Sequence, residues 1–262
     1  MKRQLQLFFT ALMFYTRIPC PKKFDCSHEN LNQATRFFPL VGIIVGSTSF
    51  LIYWGASLLF GTAIAVVLSL IAGVIATGSF HEDGFADSID GFGGGWTKEK
   101  ILEIMKDSRI GTYGVVTLIF LFALKFFSLS ILVTQLERES VCLVYLFFIL
   151  YHSLARLASG NIVFISQYAR ADETSKVKPI AKSVTRTEII ISYLFGLTPL
   201  AIFAIRYPII LIVLFPLFLL VIGGKRYFEK WLHGYTGDCL GCIEQLAELI
   251  ILLTFVALWK FM

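Results

Sequence analysis

The chain has 262 residues, of which 56% are hydrophobic and 16% charged, and its mean hydropathy is +0.75. A soluble domain carries roughly a quarter charged residues, and here the apolar residues come in long blocks without strand or helical periodicity, which excludes a soluble globular fold. The net charge of +5 accompanies no aromatic–basic surface or nucleic-acid motif, so no nucleic-acid partner is expected.

Met1, Lys2 and Arg3 precede a short apolar run, Leu5 to Met13, that ends at Arg17 and Pro19 rather than at a small-residue cleavage site. Residues 3–18 therefore read as an interfacial or re-entrant helix. A membrane span needs about 20 apolar residues. Seven follow, at about 34–54, 60–80, 111–133, 141–165, 188–205, 208–223 and 244–261. The fifth and sixth are short and separated only by Arg206 and Tyr207, so a tight hairpin or a re-entrant pair is an alternative there. The expected fold is all-α, a polytopic bundle of about seven transmembrane helices formed by 1–262 as a single domain.

Lys and Arg fall mostly on one side. The N-terminal segment, the 81–110 loop, the 166–187 loop and the 224–243 loop hold them, including Lys22, Lys23, Arg170, Lys176, Lys178 and Lys182. Arg138, Arg206 and Lys260 lie opposite, and Lys125 and Arg156 fall inside spans. By the positive-inside rule the N-terminus and these loops face the cytoplasm.

At the end of the second span lies His81-Glu82-Asp83-Gly84-Phe85-Ala86-Asp87-Ser88-Ile89-Asp90-Gly91. Asp83, Asp87 and Asp90 are spaced i, i+4, i+7, within roughly 60° of one helix face. Such a row destabilises a helix unless a cation neutralises it. Oxygen ligands suit Mg²⁺, which completes its shell with water and substrate phosphate. A solvated acidic loop is the plain alternative, but carboxylates at a membrane boundary are functional by default. Gly91, Gly93, Gly94 and Gly95 follow, read as a backbone that lets an anion approach or as a flexible linker. Thr97 then caps a short helix with Ile101, Leu102, Ile104 and Met105 on its apolar side.

Met105-Lys106-Asp107-Ser108-Arg109-Ile110-Gly111 leads into the third span. A helix N-terminus beside Lys106 and Arg109 suits a phosphate, although positive-inside anchoring explains those two cations equally well. In the fourth span His152 and Arg156 are one turn apart, and a buried Arg there pairs with an anion or snorkels to the edge. The last loop, Gly234-Tyr235-Thr236-Gly237-Asp238-Cys239-Leu240-Gly241, sets one carboxylate among glycines, followed by Glu244 and Glu248, which are helix-start acids or part of a second metal position. Cys239 and Cys242 have zinc-ligand spacing that Cys20 and Cys26 could complete; two small residues in a glycine-rich turn are the simpler reading.

These three motifs, with Thr16-Arg17-Ile18-Pro19 and Phe38-Pro39-Leu40-Val41-Gly42, resemble the cobalamin synthases, also called adenosylcobinamide-GDP ribazoletransferases, over about residues 5–250. Glu82, His233 and Cys242 stand where leucine, glycine and alanine are common in that family. The resemblance implies a Mg²⁺-dependent transferase of the bacterial cytoplasmic membrane. Its partners would be the lipid bilayer, adenosylcobinamide-GDP and α-ribazole or its 5′-phosphate, with a homo-oligomer left open. The expected metal ligands are Asp83, Asp87 and Asp90. Lys106, Ser108, Arg109, Arg156 and Thr236 are expected to bind substrate, and Asp107, Asp238 or His81 to accept the proton. Two other classes compete. A CDP-alcohol phosphotransferase would place Ala-Arg where Ala86 is followed by Asp87, and a corrinoid transporter would set its charges at mid-membrane.

Overall fold

The computed structural model describes residues 2–21, 24, 28–169 and 184–261. Cys26 and the basic residues Lys22, Lys23, Arg170, Lys176, Lys178 and Lys182 lie outside them. The elements are α1 (Lys2–Tyr15), α2 (His28–Ala34), α3 (Phe38–Phe60), α4 (Thr62–Thr77), α5 (Phe80–Gly94), α6 (Lys98–Ile104), α7 (Thr112–Glu137), α8 (Val141–Ile165), α9 (Arg186–Arg206), α10 (Leu214–Leu232) and α11 (Gly237–Leu258). A 3₁₀ turn, Pro208–Val213, leads into α10. No strand forms among the described residues, only an isolated bridge between Tyr168 and Tyr235.

Six helical stretches are long and apolar enough to cross a membrane, and α4 with α5 would make a seventh. The chain is thus a multi-pass α-helical membrane protein. Its exposed side chains include many large apolar ones, such as Leu59, Ile119, Phe120, Phe215 and Phe218, the exterior expected where the solvent is lipid. The two shorter expected spans are full helices. α9 runs the whole of Arg186–Arg206, and the sixth stretch continues to Leu232. It outlasts its apolar run because a helix leaving the bilayer stays helical while one flank packs on the bundle: Phe228 and Leu232 are buried, whereas Tyr227 is exposed.

Helix α8 is the central post, buried along nearly its whole second half. α3 lies directly on it, because a Cβ at Gly42 would sit 2.5 Å from the His152 carbonyl oxygen and one at Gly46 2.5 Å from that of Phe148. Only glycine permits so close a backbone approach, the small-residue packing that holds membrane helices together. α1 packs across the start of α3, with Leu7, Ala11, Leu12 and Tyr15 against Phe37, Phe38 and Val41. A buried ion pair between Arg36 and Glu188 joins the start of α3 to α9.

Between α4 and α5 the chain turns by 87°. Gly78 and Ser79 both adopt left-handed backbone angles, φ 68° and 60°, which stops one helix and starts the next. α5 therefore leaves the line of the span and carries its carboxylates across one end of the bundle. The glycines after Asp90 also differ from an open anion loop. Gly91 to Gly94 complete α5, and a Cβ on Gly91 or Gly95 would strike Met105 or Ile101. Their smallness seats α6 against α5. Thr97 caps α6, its hydroxyl accepting from the Lys100 amide.

Candidate active site

Helices α5 and α11 cross in contact. A Cβ at Gly241 would lie 2.8 Å from the His81 carbonyl oxygen and one at Gly84 3.1 Å from the Asp238 Cα. This close approach brings Asp83 and Asp238, 155 positions apart in the chain, to a single cleft. The cleft, about 140 Å³, is also lined by Phe14, Tyr15, Phe38, Phe80, His81 and Tyr168. Asp83 is exposed, Asp87 and Asp238 are half-buried, and Asp90 is buried.

Asp90 faces the start of α7. Its two carboxylate oxygens accept from the backbone N–H groups of Gly111 (2.7 Å) and Gly114 (2.9 Å). A carboxylate here satisfies two of the amides a helix start leaves unpaired. Each oxygen retains a lone pair. Those two amides are consequently spoken for, and what the 105–111 loop offers an anion is the exposed side chains of Lys106, Ser108 and Arg109. Asp107 and Arg109 form a fork, with Arg109 Nη2 donating to Asp107 Oδ2 at 2.6 Å. Hydrogen bonding to Arg109 holds the Asp107 carboxyl down at about 2.

Thr236 caps α11, its Oγ1 accepting from the Cys239 amide at 3.3 Å. The same hydroxyl lies 3.3 Å from Asp238 Oδ2 and 3.9 Å from Met105 Sδ. Tyr235 pairs its backbone with the segment after α8, its N–H donating to the Gln167 carbonyl at 2.8 Å. The 81–91, 105–111 and 235–241 motifs therefore meet at one end of the bundle. The structure joins them through Asp90 to Gly111, Met105 to Thr236 and Gly84 to Asp238.

Behind the cleft runs a buried charged network that sequence inspection does not assemble. Lys125 Nζ lies 2.6 Å from Glu248 Oε2 and donates to Gln245 Oε1, also at 2.6 Å. His152 Nδ1 is 2.6 Å from Glu248 Oε1, and Arg156 Nη1 is 2.9 Å from Glu244 Oε1. Gln245 Nε2 donates to Glu82 Oε1 at 3.1 Å, reaching the helix that bears Asp83. Glu244 and Glu248 are thus ion-paired inside the bundle rather than capping α11 at its surface. Arg156 has the anionic partner expected of an arginine in a span, and also sits over the Phe38 ring, 5.8 Å from its centroid. The signal for this network was present as two helical pairs, His152/Arg156 and Glu244/Glu248, each spaced i, i+4. Which helix faced which was not.

Among the described residues no three His, Cys, Asp or Glu side chains converge as a metal cage. Mg²⁺ binds through one or two carboxylates with water and substrate phosphate, and Asp83 on the cleft, with Asp87 a turn further along α5, fits that mode. The zinc alternative has less to stand on. Cys239 and Cys242 are buried in the first turns of α11, and the Cys239 sulfur accepts from the Thr236 hydroxyl at 3.4 Å.

The family described as cobalamin-5-phosphate synthase matches residues 7–256. A relative from Shewanella amazonensis, called adenosylcobinamide-GDP ribazoletransferase, is 42% identical over 260 residues, covering 99% of this chain and 98% of its own. Relatives with the same description from Shewanella frigidimarina (40% identity, 97% and 95% covered) and Vibrio parahaemolyticus (37%, 99% and 95%) are similar along their whole length. No solved structure matches.

Proposed function

The chain belongs to the cobalamin-5-phosphate synthase family, and from that premise we propose how its cleft carries out the ribazole transfer. The enzyme joins adenosylcobinamide-GDP to α-ribazole or its 5′-phosphate and releases GMP. In this reaction an alcohol on the acceptor ribose attacks the β-phosphorus. The bond from that phosphorus to the bridging oxygen breaks, the oxygen leaves with GMP, and the hydroxyl proton goes to a base. The product is adenosylcobalamin or its 5′-phosphate. A CDP-alcohol substrate or simple corrinoid transport is not favoured by the family match.

The observation that carries the site assignment is the meeting of three distant motifs around Asp83 and Asp238 at one end of the bundle. Asp83 and Asp87, with the remaining lone pairs of Asp90, would hold Mg²⁺. When bound, that ion supplies charge neutralisation at the diphosphate, the chief demand of phosphoryl transfer. Lys106, Ser108 and Arg109 reach the non-bridging oxygens, Arg109 as a planar fork already aligned by Asp107.

Asp238 is the base in this reading. Asp107 is held too acidic to take a proton well near neutral pH. His81 lines the same cleft with Nε2 unpartnered among the described residues, which makes it the second proton acceptor to test. Thr236 orients Asp238 through its hydroxyl. Arg156 acts at one remove, through Phe38 and Glu244. In this reading the site lies on the cytoplasmic side of a bacterial inner membrane, an orientation that the bias of Lys and Arg toward the loops on that side supports.

Detergent-purified protein supplied with adenosylcobinamide-GDP and α-ribazole 5′-phosphate should release GMP. EDTA should abolish the release and Mg²⁺ restore it. Full release in EDTA would remove the metal from the account, and release without the acceptor would make the enzyme a hydrolase.

A further inference from the structure

The cleft combines two chemically different linings. One carries Asp83, Asp238 and the glycine-lined crossing of α5 and α11; the other is a wall of Phe14, Tyr15, Phe38, Phe80 and Tyr168. Phe14, Tyr15, Phe38 and Phe80 brace one another, while Tyr168 packs edge-on against Tyr235. Tyr15 stacks on Phe38 with centroids 4.2 Å apart, and Phe38 stacks on His81 at 5.7 Å. Phe80 meets the edges or faces of Phe14, Tyr15 and His81 at 5.6, 6.3 and 5.4 Å. Yet Phe80 remains 42% exposed while lining the cleft, a ring braced by its neighbours that still presents surface.

We propose that this aromatic wall seats the base of the acceptor nucleoside, with Phe80 as its stacking platform. The inference rests on the transferase reading above and adds which half of which substrate the wall takes. The two substrates differ in the edges of their bases. Guanine presents N1–H, an exocyclic amine and O6, each needing a partner if buried. A benzimidazole joined to ribose presents hydrocarbon edges and one free ring nitrogen, the shape and polarity that an aromatic, largely apolar wall accepts. Its ribose hydroxyls would then extend toward the carboxylates, where Asp238 can take a proton. A reversed pose would put the hydrocarbon edge against two carboxylates.

The test compares wild type, Phe80→Leu and Phe80→Trp by KM for each substrate in the GMP-release assay, and by equilibrium dialysis with α-ribazole alone. Losing one base–aromatic stack should raise the KM for α-ribazole about tenfold. The KM for adenosylcobinamide-GDP should stay within about twofold, which also shows that the variant is folded, and Phe80→Trp should restore the acceptor KM. A rise confined to adenosylcobinamide-GDP would assign the wall to guanine or the corrinoid and overturn the proposal, as would no change in either KM. Dialysis separates the two levels of the argument. Phe80-dependent binding of α-ribazole by a protein that releases no GMP would sustain the wall and sink the transferase mechanism. No binding of α-ribazole by folded wild type would overturn the wall itself.

Discussion

Substituting alanine for Gly241 tests the packing on which the site depends. Its Cβ would stand 2.8 Å from the His81 carbonyl oxygen, 3.2 Å from Gly84 Cα and 3.3 Å from His81 Cα, all backbone atoms of α5. Ordinary contact begins at 3.4 Å, so α11 must withdraw from α5 by roughly 0.6 Å, since no flexible side chain can yield instead. Overpacking of this kind costs about 1–3 kcal/mol. The larger effect should be on rate, because Asp83 and Asp238 would be parted. A misplacement near 1 Å costs on the order of 100-fold, and a shift of this size should lower kcat by roughly ten- to a hundredfold. GMP release and thermal unfolding, measured on the same preparation, read both terms. Gly223→Ala on α10, where an added Cβ meets nothing within 4 Å among the described residues, is the control and should change neither. A Gly241→Ala protein that unfolds earlier yet keeps wild-type kcat would refute the claim that the α5–α11 crossing builds the active site.

Lys125→Met leaves Glu248 buried without its 2.6 Å ammonium partner and should cost about 3–5 kcal/mol; Lys125→Met combined with Glu248→Gln should recover most of the lost melting temperature. Asp90→Ala strands the amides of Gly111 and Gly114 and should cost about 1–2 kcal/mol, with hydrogen exchange faster at the start of α7 than at its far end. The Asp107 carboxyl, held at about 2 by Arg109, is ionised throughout any practical assay range. Asp107→Asn should therefore lower the rate, by loosening Arg109, without moving the acid limb of the kcat/KM profile, and a displaced limb would return Asp107 to the role of base.

The helices were legible because a bilayer imposes length and apolarity on each span, and α8 appears at the residues the hydropathy pattern marks, 141–165. The end of α10 was less legible, since beyond Ile222 its apolar residues line only one flank and resemble a loop with occasional hydrophobes. Local motifs gave away Thr97 as a cap and the helical spacing of Asp83, Asp87 and Asp90. What lay beyond the sequence was contact between distant helices. Nothing local to Lys125 names Glu248, and nothing local to Asp90 says that its oxygens receive the amides of Gly111 and Gly114. The 87° turn after α4 was hidden too, because Gly78-Ser79 is a short signal and left-handed backbone at serine is uncommon.

The rate of GMP release by Asp83→Asn tests the α5–α11 cleft most directly. The variant removes one charge and keeps the side-chain shape, on an exposed residue that lines the cleft. Reconstituted in liposomes with both substrates and Mg²⁺, it should melt like wild type and turn over at least about 100-fold more slowly. Near-wild-type turnover by this folded variant would place the chemistry away from the α5–α11 cleft and contradict the account.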